Sequence, residues 1–159
     1  MGLEIERKFL VKEGFKSEAS SSTRIRQGYL NQEGGRTVRV RTRDEKASLT
    51  IKGPSLDGGL SRFEWEIEIP MKDALDLLQL SVSPIVDKTR WLVPCGGHVW
   101  EVDEFYGDNE GLVMAEIELS DPDEPFDRPD WLGEEVTGDH RYYNSSLARH
   151  PFKTWSTGL

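Results

Sequence analysis

Residues 3–9, Leu3-Glu4-Ile5-Glu6-Arg7-Lys8-Phe9, place a charged side chain at every second position from Glu4 to Lys8. Side chains alternate across an extended strand, so Glu4, Glu6 and Lys8 share one face while Leu3, Ile5 and Phe9 share the other. The same period of two recurs along the chain. Arg24/Arg26, Arg39/Arg41, Thr50/Lys52, Glu64/Glu66, Lys88/Arg90, Glu101/Asp103 and Glu116/Glu118 mark polar faces, and Val38/Val40, Leu49/Ile51, Phe63/Trp65/Ile67 and Val113/Ala115/Ile117 mark apolar faces opposite some of them. The pattern predicts eight strands, over 3–11, 24–30, 37–43, 48–52, 62–69, 85–92, 98–105 and 112–119.

Gly34-Gly35, Asp57-Gly58-Gly59, Pro94-Cys95-Gly96-Gly97 and Gly107-Asp108-Asn109 fall where hairpins would reverse. Connections that short make sequential strands antiparallel neighbours. Pro70 followed by the apolar positions Ala74, Leu75, Leu77, Leu78 and Leu80 predicts a helix over 71–81. A second helix is expected from about Arg141 to His150, and Glu13 to Ser22 is expected as a short helix or a loop. The expected fold class is mainly β with added helices (α+β). It is an eight-stranded antiparallel barrel, closed or nearly closed because closure removes exposed strand edges, with a few flanking helices. A single domain is expected over 1–152, with a flexible tail over 153–159.

Composition narrows the function. The 159 residues can bury a core without staples, and the lone Cys95 excludes both an intramolecular disulfide and a thiolate zinc site. That usage agrees with a reducing cytoplasm, the location expected for a chain whose first residues lack a signal-peptide core. No apolar run nears the ~20 residues of a membrane span. A formal charge of −9 argues against nucleic-acid and membrane partners.

The placement of charge says more than its sum. Same-sign residues two positions apart on one face sit about 7 Å apart and repel by roughly 2.4 kcal/mol at an effective dielectric of about 20. Repeated pairs of this kind are explained if each set binds a countercharge. The basic set (Lys8, Arg24, Arg26, Arg39, Arg41, Lys52, Lys88, Arg90) could neutralise a polyanion, and the acidic set (Glu4, Glu6, Glu64, Glu66, Glu101, Asp103, Glu116, Glu118) could hold hard divalent cations through oxygen. Basic clamps beside carboxylate-bound Mg²⁺ are what phosphoryl transfer requires. The physical expectation is a barrel with a polar lumen and an apolar exterior covered in part by helices or by a second subunit, an arrangement open to a homodimer.

These residues resemble the CYTH, or triphosphate tunnel metalloenzyme, superfamily along nearly the whole chain. Glu4-Ile5-Glu6-Arg7-Lys8 matches its E-x-E-x-K signature, and the match continues through Gln27-Gly28-Tyr29-Leu30, Val38-Arg39-Val40-Arg41, Thr50-Ile51-Lys52, Glu64-Trp65-Glu66, Lys88-Thr89-Arg90, Glu101-Val102-Asp103-Glu104-Phe105, Glu116-Ile117-Glu118 and Gly133-Glu134-Glu135-Val136-Thr137. The resemblance implies a tunnel that binds a triphosphate and one or two Mg²⁺ or Mn²⁺ ions. It implies metal ligation by Glu4, Glu6, Glu116 and Glu118, with Glu66 and Asp103 as further candidates. It implies a phosphate clamp of Arg26, Arg39, Arg41, Lys52, Lys88 and Arg90. Hydrolysis of inorganic triphosphate with a Lys8–Tyr29 dyad, and Glu64 orienting water, is the activity it favours. A nucleoside or thiamine triphosphatase, an adenylyl cyclase and a non-catalytic polyphosphate-binding module are the alternatives. Strict alternation sets Tyr29 opposite Arg24 and Arg26, so the dyad requires a bulge or bend at Gly28 to bring Tyr29 into the lumen.

Overall fold

The computed structural model describes residues 2–158, with side-chain surroundings for 3–155. Nine strands are formed among the described residues: β1 (Gly2–Val11), β2 (Ser21–Asn31), β3 (Thr37–Arg43), β4 (Lys46–Leu56), β5 (Ser61–Ile69), β6 (Val86–Cys95), β7 (His98–Phe105), β8 (Val113–Glu118) and β9 (Leu132–Glu135). The helices are α1 (Met71–Leu78) and α2 (Asn144–Arg149). The strands run in the order β5-β4-β3-β2-β6-β7-β8-β1, and pairing of β5 with β1 closes them into an eight-stranded antiparallel barrel. The closing ladder is short, joining residues 2–5 of β1 to residues 61–64 of β5.

The ninth strand lies outside the eight expected. It pairs with the end of β1 that β5 leaves free, Phe9 opposite Glu135 and Val11 opposite Leu132. Four residues are too few for alternation to stand out in the sequence. The expected 141–150 helix divides into a 3-10 turn, His140–Tyr142, and α2, while 13–22 yields a 3-10 turn at Lys16–Glu18. Phe152–Gly158 also form a 3-10 segment, and Trp155 packs edge-on against Tyr142 and Phe152. The stretch expected as a tail is therefore docked as far as Trp155.

Charges occupy the lumen, so the apolar cores lie around it. Ile5 and Phe9 of β1, Trp100 and Val102 of β7, and Ala115 and Ile117 of β8 form an outer core with Phe15 and Trp131. The rings of Phe9, Trp100, Phe126 and Trp131 meet edge-to-face there. α1 lays Ala74, Leu77 and Leu78 on the exterior of β2–β4 against Val40 and Ala47. A third core fills one end of the lumen, where Val86, Phe105 and Met114 meet Tyr142, Leu147 and Ala148 of the α2 region. Leu3, Ile51, Phe63, Trp65 and Ile67 remain exposed on the outside of β1, β4 and β5. No helix of the described residues is long and apolar enough to cross a membrane.

The approach to α2 is fixed by backbone against backbone. Gly138 has φ +82°, and a Cβ there would overlap the Gly58 carbonyl oxygen in the β4–β5 turn. No side-chain rotation relieves such an overlap. Gly138→Ala is expected to cost about 1–3 kcal/mol, a fall in melting temperature of roughly 2–12 °C for a chain of this size, readable by circular dichroism. An unchanged melting temperature would show that the turn and the α2 approach are not in contact.

Candidate active site

The lumen opens into a cavity of about 240 Å³ walled by Glu4, Glu6 and Lys8 of β1, Arg39, Arg41 and Arg43 of β3, Lys52 of β4, Arg62, Glu64 and Glu66 of β5, Arg90 of β6, Glu101 of β7 and Glu116 and Glu118 of β8. Strand register builds this wall. Arg39 lies opposite Thr50, Thr50 opposite Glu66, Lys52 opposite Glu64, Lys8 opposite Glu116 and Glu6 opposite Glu118. Alternation then turns all of these side chains the same way.

On β2 the expected faces are reversed. Ile25, Gln27 and Tyr29 are buried on the inner side, whereas Arg24 and Arg26 project outward. Asp87, which faces Arg26 across the β2–β6 ladder, accepts two hydrogen bonds from Arg24 at 2.6 and 2.7 Å and lies 3.8 Å from Arg26. Arg26 is thus an exterior residue, and its expected place in the clamp is corrected. Tyr29 reaches the lumen without a bend at Gly28. Gly28 instead admits close packing outside, since a Cβ there would overlap Ser81 Oγ and lie 2.9 Å from Ile85 Cδ1.

Tyr29 and Lys8 do not bond to each other among the described residues. The Tyr29 hydroxyl accepts from Gln27 Nε2 at 3.0 Å, and Gln27 Oε1 accepts from Arg41 Nε at 2.8 Å, so Tyr29 supports Arg41 through Gln27. Lys8 Nζ instead lies 3.2 Å from Glu6, 3.0 Å from Glu116 and 5.5 Å from the ring centre of Tyr143. Gln27 lies within the Gln27-Gly28-Tyr29-Leu30 match, but its role between Tyr29 and Arg41, like the place of Tyr143 beside Lys8, emerges only from the fold.

The basic residues of the wall differ in what they face. Arg39 donates to Thr50 Oγ1 at 3.2 Å and lies 3.8 Å from Glu66, while Thr50 bonds Glu66 at 2.5 Å. Lys52 is 2.9 Å from Glu4 and 3.5 Å from Glu64. Arg90 bonds Asp103 through Nε and Nη2, at 2.8 and 2.9 Å, and turns Nη1 to Glu101 at 3.3 Å. Lys88 lies behind the wall, fully buried between Asp103 Oδ2 at 2.6 Å and Asn144 Oδ1 at 2.9 Å. Both Asp103 oxygens are therefore taken by cations, and Asp103 is corrected from a candidate metal ligand to an anchor for Arg90 and Lys88. Burial opposes its charge, yet Arg90 and Lys88 hold Asp103 well below the usual carboxylate range. Glu66, bonded to Thr50 and facing Arg39, likewise stands on the basic side of the wall.

Arg41 has no carboxylate partner among the described residues, its Nε bonding only the neutral Gln27. Desolvation, then the charges of Arg39 and Arg90, pull its guanidinium down to about 9. The acidic side carries the opposite strain. Burial, then the charge of Glu116, pushes Glu6 up to about 8, and burial followed by Glu4 and Glu101 raises Glu118. No three carboxylate, histidine or cysteine groups of the described residues are gathered into a ready coordination sphere, because Lys8 stands between Glu6 and Glu116 and Lys52 holds Glu4. The chemistry of the donors nevertheless fits a hard divalent ion. All are carboxylate oxygens. Burial opposes the charge of Glu116, yet Lys8 holds it well below the usual carboxylate range; burial raises Glu4, Glu6 and Glu118, a penalty on their charge that a bound cation removes.

The comparisons with known proteins agree with this geometry. The inorganic triphosphatase of Acetivibrio thermocellus is 46% identical over 156 residues, covering 98% of this chain and 99% of that protein. The inorganic triphosphatase of Nitrosomonas europaea is 37% identical over 150 residues, covering 91% and 96%. The crystal structure of the inorganic triphosphatase NE1496 superposes with a TM-score of 0.66 at 33% identity, over 91% of this chain and 96% of that one. Residues 2–149 match the model of the CYTH domain, and with a charged eight-stranded tunnel to go with that match, the chain belongs to the CYTH family.

Proposed function

We propose that the protein is a metal-dependent inorganic triphosphatase, hydrolysing tripolyphosphate to pyrophosphate and phosphate within the tunnel. Arg41 carries this reading. A desolvated guanidinium held by a neutral amide, with two more arginines raising its electrostatic cost, is a site for an anion that the protein itself does not supply. Two relatives named inorganic triphosphatase, each covering more than nine tenths of the chain, support the choice of anion over the nucleotide alternatives.

Membership of the family implies a divalent metal ion. A Mg²⁺ or Mn²⁺ ion held by Glu4, Glu6, Glu116 and Glu118 would neutralise phosphate charge and make bound water more acidic. The remaining roles belong to the wall. Arg39, Arg41, Lys52 and Arg90 bind phosphate oxygens, and Gln27 and Tyr29 hold Arg41 at its post. Asp103 orients Arg90 and neutralises Lys88, which fixes α2 through Asn144. Lys8 neutralises a terminal phosphate, and Glu64 orients the attacking water as a hydrogen-bond acceptor.

Phosphate release from tripolyphosphate, ATP, thiamine triphosphate and pyrophosphate, with and without Mg²⁺, tests the activity. Tripolyphosphate should be turned over with a kcat/KM at least about tenfold above ATP, equivalent to about 1.4 kcal/mol of transition-state binding, and only with the metal. Equal turnover of ATP, or release without metal, would overturn the reading.

A second measurement addresses Arg41. Tripolyphosphate at about 100 times its Kd should stabilise the wild type by roughly 2.7 kcal/mol. In Arg41→Gln the melting temperature without ligand should stay level or rise, because a desolvated charge is removed, while the ligand-induced rise shrinks and KM increases at least about tenfold. A full ligand-induced rise in the variant would exclude Arg41 from the phosphate site.

A further inference from the structure

Beside the tunnel lies a second cavity, of about 190 Å³, between the β2–β3 and β4–β5 turns and α2. One water requires roughly 10–15 Å³ of such space, so the cavity holds a group of several atoms. Thr37, Arg62, Tyr143 and Ser145 line both cavities, which makes the second an annex continuous with the tunnel. The Tyr143 hydroxyl, bonded to Ser55 Oγ at 3.0 Å, fixes the aromatic ring at the junction.

The annex differs from the tunnel in charge. Its lining contains Arg62, His140 and Arg149 and no carboxylate. None of the three forms an ion pair among the described residues; Arg62 donates to the Gly53 carbonyl at 3.1 Å, and its guanidinium lies 5.7 Å from the centre of the Tyr143 ring. In a chain of net charge −9, where Arg7, Arg24, Arg90 and Arg141 all have carboxylate partners, an acid-free lining that carries the unpaired Arg62 and Arg149 favours an anion. Thr37, Ser55, Ser145 and Ser146 add hydroxyl groups that can donate to phosphate oxygens. A nucleoside fits less well. It brings no charge to Arg62 and Arg149, and the one amide in the lining, Gln32, already donates its Nε2 to the Ser145 carbonyl at 2.6 Å.

We propose that the annex binds the phosphates beyond the third of a linear polyphosphate, so that tetrapolyphosphate lies with one end in the tunnel and its fourth phosphate against Arg62 and Arg149. This inference rests on the triphosphatase reading and extends it to chain length. The reaction on such a chain balances as tetrapolyphosphate plus water giving tripolyphosphate plus orthophosphate. The water oxygen bonds to the end phosphorus as the bridging P–O bond breaks, and the water protons pass to the products or to solvent.

Calorimetric titration in metal-free, chelator-containing buffer tests the site without turnover, using tetrapolyphosphate, tripolyphosphate and ATP on the wild type, Arg149→Ala, His140→Ala and the surface control Lys72→Ala. Wild type should bind tetrapolyphosphate more tightly than tripolyphosphate. Arg149→Ala should weaken tetrapolyphosphate about tenfold and leave tripolyphosphate, ATP and the kcat/KM for tripolyphosphate unchanged. His140→Ala should give a smaller loss of the same selectivity, and Lys72→Ala none. Equal losses for both polyphosphates, or none, would overturn the annex while leaving the tunnel reading intact. Loss of ATP affinity as large as that of tetrapolyphosphate would make the annex a nucleotide site and overturn the proposal. Failure of wild type to bind tetrapolyphosphate would overturn the annex, and failure to hydrolyse tripolyphosphate with Mg²⁺ would overturn both readings.

Discussion

A closed barrel with charge on its inner face cannot be held together by what fills it. Each of the ion pairs in the lumen loses hydration when the barrel closes, and buried pairs return little net stability for that loss. The apolar material therefore has to lie around the strands. Trp100, Trp131 and Phe9 pack edge-to-face on one flank, α1 covers another, and α2 stops one end. Most of the apolar halves of the alternating strands serve this arrangement, with Ile51, Phe63, Trp65 and Ile67 of β4 and β5 left exposed, and the charged halves are free to carry chemistry.

The two signs of charge inside are segregated as well as paired. Arg41 faces the cavity among arginines, and Glu6, Glu116 and Glu118 lie together on adjoining strands. Lys8 and Lys52 bridge the two sides by bonding carboxylates of β1 and β8. A polyanion and a cation arriving together would match the two halves in a way that the free protein cannot. The protein pays in stability for a wall prepared in advance, and ligand binding recovers part of it.

Much of this was legible in the sequence, because a period of two with charges of fixed sign survives any detail of packing. The eight barrel strands follow from it, the antiparallel order follows from the short glycine-rich turns, and the helix expected over 71–81 from its apolar spacing is formed over Met71–Leu78. What alternation cannot decide is which of two polar faces points inward. Arg24 and Arg26 looked like lumen residues, yet Asp87 on the neighbouring strand gives them an exterior partner, and it is the neutral Gln27 and Tyr29 that turn inward. Asp103 carries the same charge as Glu101 and the same face, but lies one step deeper, where Arg90 and Lys88 enclose it. Depth along a strand leaves no mark in a period of two. Arg62 and Tyr143 escaped notice for a different reason, since each belongs to a wall made by segments distant in sequence.

The strand that carries Glu4, Glu6 and Lys8 has partners far along the chain, with Lys8 meeting Glu116 across 108 residues. During synthesis at 5–20 residues per second, this strand waits about 5–20 s before β8 can pair with it. Residues 2–5 can pair with β5 earlier, but residues 6–10 find their partner only when most of the barrel has been made, a topology that slows folding by the entropy of long-range closure. Glu6 and Lys8, which later form part of the tunnel wall, spend that interval on an unpaired strand edge. There, alternating charge discourages pairing with other nascent chains. These residues thus serve twice, once on the strand that waits and once in the tunnel that results.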